Sequence, residues 1–457
     1  MIPIAGQPIV TAADMRAAEG RAIAAGTTVD GLMARAGEAV AEQVRRLAVG
    51  AEVLVLCGPA NNGGDGYVVA RALRVAGQRV RVAASGEPRS AAGIAARTRW
   101  DGPVEVLAEA APAPVVVDAL FGVGLSRALD EAAAGALSRL VQAAQLAIAV
   151  DVPSGIASDD GACLGEVPGF DLTLALGAAK PAHVLQPAAA RCGAVRVLDI
   201  GVVVDGRVRV SAAPRIRAPE QSSHKYSRGM VAVVAGSMPG AAGLCATSAA
   251  RSGAGYVLLL GSATDRLPHA IVRRRFDADL LSDARIGAVV VGPGLGRDDK
   301  ARGRLDAVLG CGKPLVIDGD ALHSVGERKL PAATILTPHA GEFTAMFRDG
   351  RGSKIARTID AAHDSGAVVV FKGADTVIAA PDGRAIVHPD GTAWLSTAGT
   401  GDVLSGAIAA RLAAGGDPFS AAADGVWLHA EAARLAGPGF IADDLSIYLP
   451  AAIGHCL

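Results

Sequence analysis

The sequence contains few aromatic residues, and this scarcity narrows the partners that it can have. Phe, Trp and Tyr make up 3% of the 457 residues, too few to suggest the stacking platforms on which proteins hold single-stranded nucleic acid. The formal net charge is only -1, and acidic and basic residues are interspersed along the chain. Nothing therefore indicates nucleic acid or an anionic membrane as a partner.

Long apolar runs and paired cysteines are also missing. No stretch approaches the roughly 20 uninterrupted apolar residues of a membrane span, and the N-terminus lacks the basic and apolar regions of a cleaved signal peptide. The six cysteines occur without a CxxC pair, which favours buried thiols in a reducing compartment. We therefore expect a cytoplasmic protein without a transmembrane segment.

Short apolar runs alternate with helix-like segments in two stretches of the chain. Runs such as VLVLC at 53–57 and VVVDALF at 115–121 are apolar throughout, which favours strands covered on both faces of a parallel sheet. These signals fade at 212–222, where Pro, Ser and Arg gather, and they restart with MVAVVAGS. We expect two α/β layered domains in series, residues 1–215 and 216–457.

The segment STAGTGDVLSG at 396–406 predicts a phosphate-binding helix start in the second domain. Gly399 and Gly401 let backbone amides approach an anion, and a helix N-terminus adds free N–H groups and a favourable dipole. Asp402 falls in the first turn, where its carboxylate can accept a proton from a substrate hydroxyl. The helix start is expected to lower its pKa. The alternative is that Asp402 only caps the helix.

Three further turns follow apolar runs in the same domain: GPGLG at 292–296, TPHAGEF at 337–343 and FKGADT at 371–376. Open α/β sheets bind ligands at the carboxyl ends of their strands, so these turns favour one shared cleft. The segments around FKGADT also fit a β-meander before the STAGTGD turn. The P-loop pattern GxxxxGK[ST] is absent, which excludes the P-loop class of nucleoside triphosphatases.

The order of these motifs resembles the ribokinase-like NAD(P)H-hydrate dehydratases over residues 222–457. The resemblance implies an adenine-nucleotide site formed by Lys372, Gly373, Ala374, Asp375, Thr376 and Gly401. It also implies that Gly296, His339 and Asp402 meet the hydrated cofactor. Asp402 would accept the proton of the C6 hydroxyl while that hydroxyl is phosphorylated, and elimination would then restore the ring double bond. ADP is favoured over ATP as donor, accompanied by Mg²⁺.

Polar residues also end three apolar runs of the first domain. NNGGDG at 61–66 follows VLVLC, Asp118 ends a second run, and Asp151 and Ser154 end a third. Three oxygen-bearing strand ends suggest a ligand cleft and a hard cation bound by oxygens. A helix-capping role for Asp65 is the alternative.

These residues resemble the NAD(P)H-hydrate epimerase domain, a Rossmann-like layered domain, over about residues 1–212. The resemblance implies a site for the hydrated cofactor formed by Asn61, Asn62, Gly63, Gly64, Asp65, Gly122, Val123, Gly124, Leu125, Ser126, Arg127 and Ala128. It implies a potassium ion held by Asn62, Asp118 and Ser154. It also implies that Asp151 contacts the substrate, which makes Asp151 the candidate for acid–base work. Some relatives have a lysine where this loop has Arg127, so the proton carrier of epimerisation stays open.

Together the two resemblances imply a bifunctional NAD(P)H-hydrate repair enzyme that assembles as a homo-oligomer. The first domain would interconvert the C6 epimers of hydrated NADH and NADPH, and the second would dehydrate the S epimer. Two alternatives remain open at this stage. One is a small-molecule or vitamin kinase of ribokinase-like fold, and the other is a first domain that binds without catalysing.

Overall fold

The computed structural model describes residues 1–262, 264, 267–326, 328, 330–347, 350–389 and 391–457. The chain divides into two compact units, Met1–Val210 and Ser211–Leu457.

The first unit alternates strands and helices along most of its length. Its strands are β1 (Ile2–Pro3), β2 (Val53–Cys57), β3 (Val80–Ala84), β4 (Glu105–Val106), β5 (Val115–Ala119), β6 (Leu146–Val150), β7 (Leu172–Leu176), β8 (Ala194–Leu198) and β9 (Val208–Val210). Its α-helices are α1 (Ala12–Ala24), α2 (Val29–Ala48), α3 (Asn61–Val75), α4 (Ala91–Thr98) and α5 (Glu131–Ala143).

The sheet of this unit has the order β1-β8-β7-β6-β5-β2-β3-β4. Every neighbouring pair is parallel except β1 and β8. β2 lies between β3 and β5, so the strands that follow β2 in the sequence are added on both of its sides. The loops that follow β2 and β5 therefore flank a topological switch point, the usual ligand crevice of such sheets.

The central strands are buried on both faces, as their unbroken apolar runs predict. All residues of β2 and β5 are buried, and separate apolar clusters cover the two faces of the sheet. This burial explains why the runs do not alternate between apolar and polar residues.

The second unit has the same alternating character. Its strands are β10 (Met230–Val234), β11 (Tyr256–Leu260), β12 (Val272–Arg274), β13 (Ile286–Val291), β14 (Leu315–Ile317), β15 (Thr334–Leu336), β16 (Val368–Phe371), β17 (Thr376–Ala379) and β18 (Ala385–His388). Its α-helices are α6 (Pro239–Arg251), α7 (Asp299–Leu309), α8 (Leu322–Val325), α9 (Ala340–Met346), α10 (Lys354–Ser365), α11 (Thr400–Ala413), α12 (Pro418–Ala436) and α13 (Ala442–Gly454).

Within the second unit these strands follow the order β12-β11-β10-β13-β14-β15-β16-β17-β18. Pairing is parallel from β12 to β16 and antiparallel from β16 to β18, which confirms the predicted β-meander. Helix α11 packs against α6 and α12 over this sheet. The fold-class prediction of two α/β layered units is confirmed.

Two sequence expectations about exposure are tested by the structure. Among the described residues, no helix has the length and apolarity needed to cross a membrane. All six cysteines are free thiols. The prediction that they are buried is correct for four, but Cys163 and Cys311 are partly exposed.

Candidate active sites in the two units

A cavity of about 700 Å³ opens at the switch point of the first unit. Six residues that were predicted to be functional line it: Asn61, Asn62, Asp65, Gly122, Val123 and Asp151. The remainder of the predicted loop, residues 124–128, is not among its lining residues. The start of α3 and the loop after β5 thus meet at this cavity.

The NNGGDG segment forms the first turns of α3, and its tight packing requires glycine. A Cβ on Gly63 would lie 1.8 Å from the carbonyl oxygen of Gly58, a distance that no side chain can occupy. Ala60 is the N-cap and supplies no side-chain hydrogen bond. Asp65 lies beyond the cap in the helix, so the capping alternative for Asp65 is wrong.

Asp118 and Ser154 form a buried cluster at the ends of β5 and β6. The Ser154 hydroxyl donates to Asp118 Oδ1 at 2.7 Å, and the Ser154 amide donates to Oδ2 at 2.8 Å. Asn62 Nδ2 donates to the carbonyl of Val150 at 3.4 Å, at the end of β6. Burial raises the pKa of Asp118 to about 6, although the hydrogen bonds from Ser154 and the Leu120 amide lower it. Among the residues that the structure describes, no cationic side chain pairs with Asp118.

Asp151 is held in an unusual backbone conformation by a buried network. Its φ of 65° lies in the left-handed region, which costs energy for a residue other than glycine and is typical of functional sites. Lys180 Nζ donates to Asp151 Oδ1 at 2.5 Å, and the Leu176 amide donates to the same oxygen at 3.1 Å. This ion pair is almost fully buried, with side-chain exposures of 1% for Lys180 and 8% for Asp151.

His183 holds the backbone of Asp151 through a hydrogen bond. The Lys180 amide donates to Nδ1 at 2.9 Å, so Nε2 carries the proton and donates to the Asp151 carbonyl at 2.7 Å. Burial and the nearby Lys180 lower the pKa of His183 to about 4, which keeps the ring neutral. Sequence analysis missed Lys180 as a site residue. A lysine in the otherwise apolar segment that follows β7 is the signal that could have identified it.

In the second unit, α11 begins as the GTGD turn predicts. Its N-cap is Gly399, with a left-handed φ of 91°, where a Cβ would lie 2.7 Å from Leu244 Cδ1. Asp402 lies in the first turn of the helix. Because Gly399 occupies the cap position, the alternative that Asp402 caps the helix is wrong.

The electrostatics of Asp402 differ from the sequence expectation. Its pKa is raised to about 7 by burial first and then by Asp318 and Asp320, while Lys372 lowers it. The expected lowering by the helix dipole is therefore wrong, because desolvation and two neighbouring carboxylates outweigh it.

Lys372 reaches this helix start from the end of β16. Its Nζ donates to Asp318 Oδ1 at 2.8 Å, and Ser405 of α11 donates to Asp318 Oδ2 at 2.7 Å. A Cβ on Gly401 would lie 3.5 Å from Lys372 Nζ. The structure thus brings Lys372, Gly401 and Asp402 together around Asp318. Sequence analysis missed Asp318, although it ends the apolar run KPLVID.

The KGADT turn between β16 and β17 is held closed by local hydrogen bonds. Thr376 Oγ1 accepts from the Gly373 amide at 3.2 Å and donates to the Gly373 carbonyl at 2.8 Å. Lys354 of α10, which sequence analysis also missed, donates to Asp375 Oδ1 at 2.7 Å.

His339 is the N-cap of α9. Its Nδ1 accepts from the amides of Gly341 and Glu342 at 3.0 and 3.3 Å, and its side chain is 60% exposed. The Gly296 amide donates to Asp320 Oδ2 at 3.0 Å, which links the GPGLG turn to a carboxylate that acts on Asp402.

A second cavity, of about 390 Å³, lies in the second unit. Two of the three tryptophans of the chain, Trp394 and Trp427, line it together with His388. His388 pairs with Thr376 across β17 and β18, and the Gly391 amide donates to the Ala374 carbonyl at 3.1 Å.

These features define an enzyme built from two α/β units, each with its own polar site at strand ends. Residues 29–182 match the family model described as YjeF-related protein N-terminus, and residues 231–450 match the model described as NAD(P)H-hydrate dehydratase.

Proteins that contain both halves are similar over most of the chain. The bifunctional NAD(P)H-hydrate repair enzyme Nnr of Thermofilum pendens is 34% identical over 92% of this chain and 91% of its own. The enzyme of the same name from Mycobacterium tuberculosis is 35% identical over 88% of each chain. The chain belongs to this family of bifunctional NAD(P)H-hydrate repair enzymes. A crystal structure of the ADP/ATP-dependent NAD(P)H-hydrate dehydratase from Bacillus subtilis is 31% identical, with a TM-score of 0.47, over 53% of this chain and 95% of that one.

Proposed function

We propose that the second predicted domain, residues 216–457, dehydrates the S epimer of hydrated NADH or NADPH at the expense of ADP. The first predicted domain, residues 1–215, would interconvert the two C6 epimers. One observation carries the proposal: in the second unit a helix start suited to an anion, the partly buried Lys372 and the Asp402 carboxyl, whose pKa is raised to about 7, meet at one place. Since the protein would act on free cofactor, we also propose that it is cytoplasmic. We further propose that it assembles as a homo-oligomer.

Asp402 is proposed as the base of the dehydratase. Its pKa of about 7 suits a group that accepts the C6 hydroxyl proton as the hydroxyl oxygen attacks the terminal phosphoryl group of ADP. The amides around Gly399 and Gly401 would donate to the transferring phosphoryl oxygens. Cleavage of the C6–O bond, with loss of a C5 proton, then releases phosphate and restores the ring double bond. Gly296 and His339 would border the hydrated ring.

The adenine nucleotide is proposed to lie along Lys372–Thr376 and Gly401. Lys372 would exchange part of its contact with Asp318 for a phosphate oxygen, a charge-assisted hydrogen bond. The cavity lined by His388, Trp394 and Trp427 would seat the base, with Trp394 as a stacking partner.

Mg²⁺ is proposed to accompany the nucleotide. Among the described residues, no group of three or more His, Cys, Asp or Glu is arranged to hold a metal ion. Asp318 and Asp320, which both act on Asp402, offer the oxygen ligands that Mg²⁺ prefers, and the nucleotide phosphates would supply others. The ion would neutralise charge on the phosphates.

The hydrated cofactor is proposed to bind the first unit through Asn61–Asp65 and the loop 122–128, with Asp151 as an acid–base group. Lys180 is its partner, because its ammonium contacts the Asp151 carboxylate directly.

Potassium is proposed to be held by Asn62, Asp118 and Ser154. These residues fit a hard monovalent cation, because Asp118 is fully buried and lacks a cationic side-chain partner among the described residues. The ion would neutralise this carboxylate beside the loop that begins at Gly122.

The experiment follows the absorbance of reduced nicotinamide after the full chain is mixed with both epimers of hydrated NADH and with ADP or ATP. We expect complete recovery of the absorbance, faster with ADP. An Asp151→Asn variant should consume the S epimer at the normal rate and then slow to the spontaneous rate of epimerisation. A vitamin kinase would leave the absorbance unchanged, and an inactive first unit would make the unchanged chain behave like the variant.

A further inference from the structure

Helix α1 brings a carboxyl group to the cavity of the first unit that no motif indicates. Glu19 lines this cavity together with Met15 and Arg16. Met15 and Glu19 are four residues apart and therefore share one face of the helix, and Met15 is buried. The start of α1 is fixed, because the Ala12 amide donates to Asp159 Oδ1 at 2.7 Å. Glu19 is thus held at the cavity by a helix that is anchored independently of the substrate loops.

Glu19 has no hydrogen-bond or ion-pair partner among the described residues, although it is only partly exposed. Burial and the charge of Asp151 raise the pKa of Glu19, and they outweigh the charges of Lys180 and Arg16, which lower it. Asp65 is influenced in the same way by burial, by Asp151 and by Glu19. Three carboxyl groups therefore surround one cavity, and Lys180 is ion-paired with only one of them, Asp151.

Inversion at C6 requires the hydroxyl group to leave one face of the ring and to return on the other. The lone pair of N1 can expel the hydroxyl from C6 once its oxygen receives a proton, which gives water and a C6=N1 iminium ion. Addition of water to the opposite face forms the new C6–O bond and releases one proton. One acid and one base are needed, on opposite faces, and they exchange roles when the reaction runs in reverse.

We propose that Glu19 is the second acid–base residue of the epimerase site, acting on the face of C6 opposite Asp151. Glu19 comes from α1 and Asp151 follows the end of β6, so the two carboxyl groups line the same cavity from different elements. In one direction the Glu19 carboxyl donates its proton to the departing hydroxyl and Asp151 accepts the proton from the entering water. In the other direction Asp151 donates and Glu19 accepts. This inference rests on the epimerase activity proposed above.

The test measures conversion of the pure R epimer by the full chain without adenine nucleotide, so that the second unit consumes nothing. Glu19→Gln keeps the shape and removes the titrating group. Its kcat should fall about 10²- to 10⁴-fold, the usual contribution of a general acid or base, while KM changes little. Glu19→Asp keeps the acid and should recover part of the rate. Glu38→Gln, at an exposed position of α2 outside the cavity lining, is the matched control and should behave like the unchanged chain.

An unaltered kcat for Glu19→Gln, or a loss that appears only in KM, overturns the proposal. If Glu19→Gln does not fold, the Glu19→Asp variant provides the test. The side chain of Asp is shorter by one methylene group, so an unchanged kcat in this variant also contradicts the role. Failure of the unchanged chain to interconvert the epimers would reject the epimerase activity and this inference with it. A different pattern would reject this inference alone: an active unchanged chain, an inactive Asp151→Asn variant and a Glu19→Gln variant with normal kcat.

Discussion

Replacement of Asp402 by asparagine should abolish dehydration and, above pH 7, make the second unit more stable. In the unfolded chain this carboxyl titrates near its ordinary pKa of 3.8, whereas in the folded chain it titrates near 7. The folded state therefore binds the proton more tightly, and stability is lost as pH rises through the interval between these values. Asparagine cannot ionise, so the variant avoids this loss.

The magnitude follows from the size of the shift. Each pKa unit corresponds to 1.36 kcal/mol, so a shift of about three units sets an upper bound of about 4 kcal/mol. Because Asp402 is partly accessible to solvent, we expect about 1–3 kcal/mol at pH 8. For a unit of this size each kcal/mol raises Tm by about 2–4 °C.

Thermal unfolding followed by tryptophan fluorescence measures this gain, since Trp394 and Trp427 lie in the second unit. The difference in Tm between variant and unchanged chain should be largest at pH 8 and should vanish near pH 4, where both side chains are neutral. Turnover of the S epimer should fall at least about 10²-fold in the variant, while its affinity for ADP is kept. In the unchanged chain, kcat/KM should rise about tenfold between pH 6 and pH 8 as the base ionises. A lower Tm at pH 8, or near-normal turnover, would refute the reasoning.

Four further results are expected. Lys180→Met should lower epimerisation by at least about tenfold and leave turnover of the pure S epimer intact; equal losses in both assays would contradict a role confined to the first unit. Replacement of potassium by tetramethylammonium should slow epimerisation but not dehydration, and Asp118→Asn should remove this dependence; a rate insensitive to the cation would reject the ion. Lys372→Met should weaken ADP binding in calorimetry by about 1.5–3 kcal/mol, the value of a charge-assisted hydrogen bond, and unchanged affinity would exclude a phosphate contact. Trp394→Ala should weaken ADP binding by about 1 kcal/mol through lost stacking. An equal loss of affinity for inorganic pyrophosphate, which has no base to stack, would contradict this role.

The sequence predicts the layered fold well because the relevant signals are local. An unbroken apolar run such as Val53–Cys57 can be buried on both faces only inside a covered sheet. The start of α11 is predicted for the same reason, since Gly399 adopts a conformation that favours glycine. Whether the predicted ligand contacts form stays a prediction.

Properties that depend on distant segments were not predicted, although Lys180 and Asp318 each left a local signal in the sequence. Lys180, Asp318 and Glu19 lie outside the motifs, and the topology of the sheets and the packing of α1 bring them to the sites. The predicted direction of the pKa shift of Asp402 was wrong, because the burial of this side chain and its proximity to Asp318 arise from tertiary structure. The helix dipole, which sequence can predict, is the smaller effect.

The distribution of thiols makes the native chain suitable for fluorescence labelling without mutagenesis. Cys163 in the first unit and Cys311 in the second are partly exposed, whereas the other four cysteines are buried. Burial raises the pKa of Cys192 to about 12 and that of Cys456 to about 11, and thiols that remain protonated react slowly. Labelling with a mixture of donor and acceptor maleimides would therefore attach one dye to each unit. Energy transfer between the two dyes would report, molecule by molecule, whether the units move with respect to each other during a repair cycle.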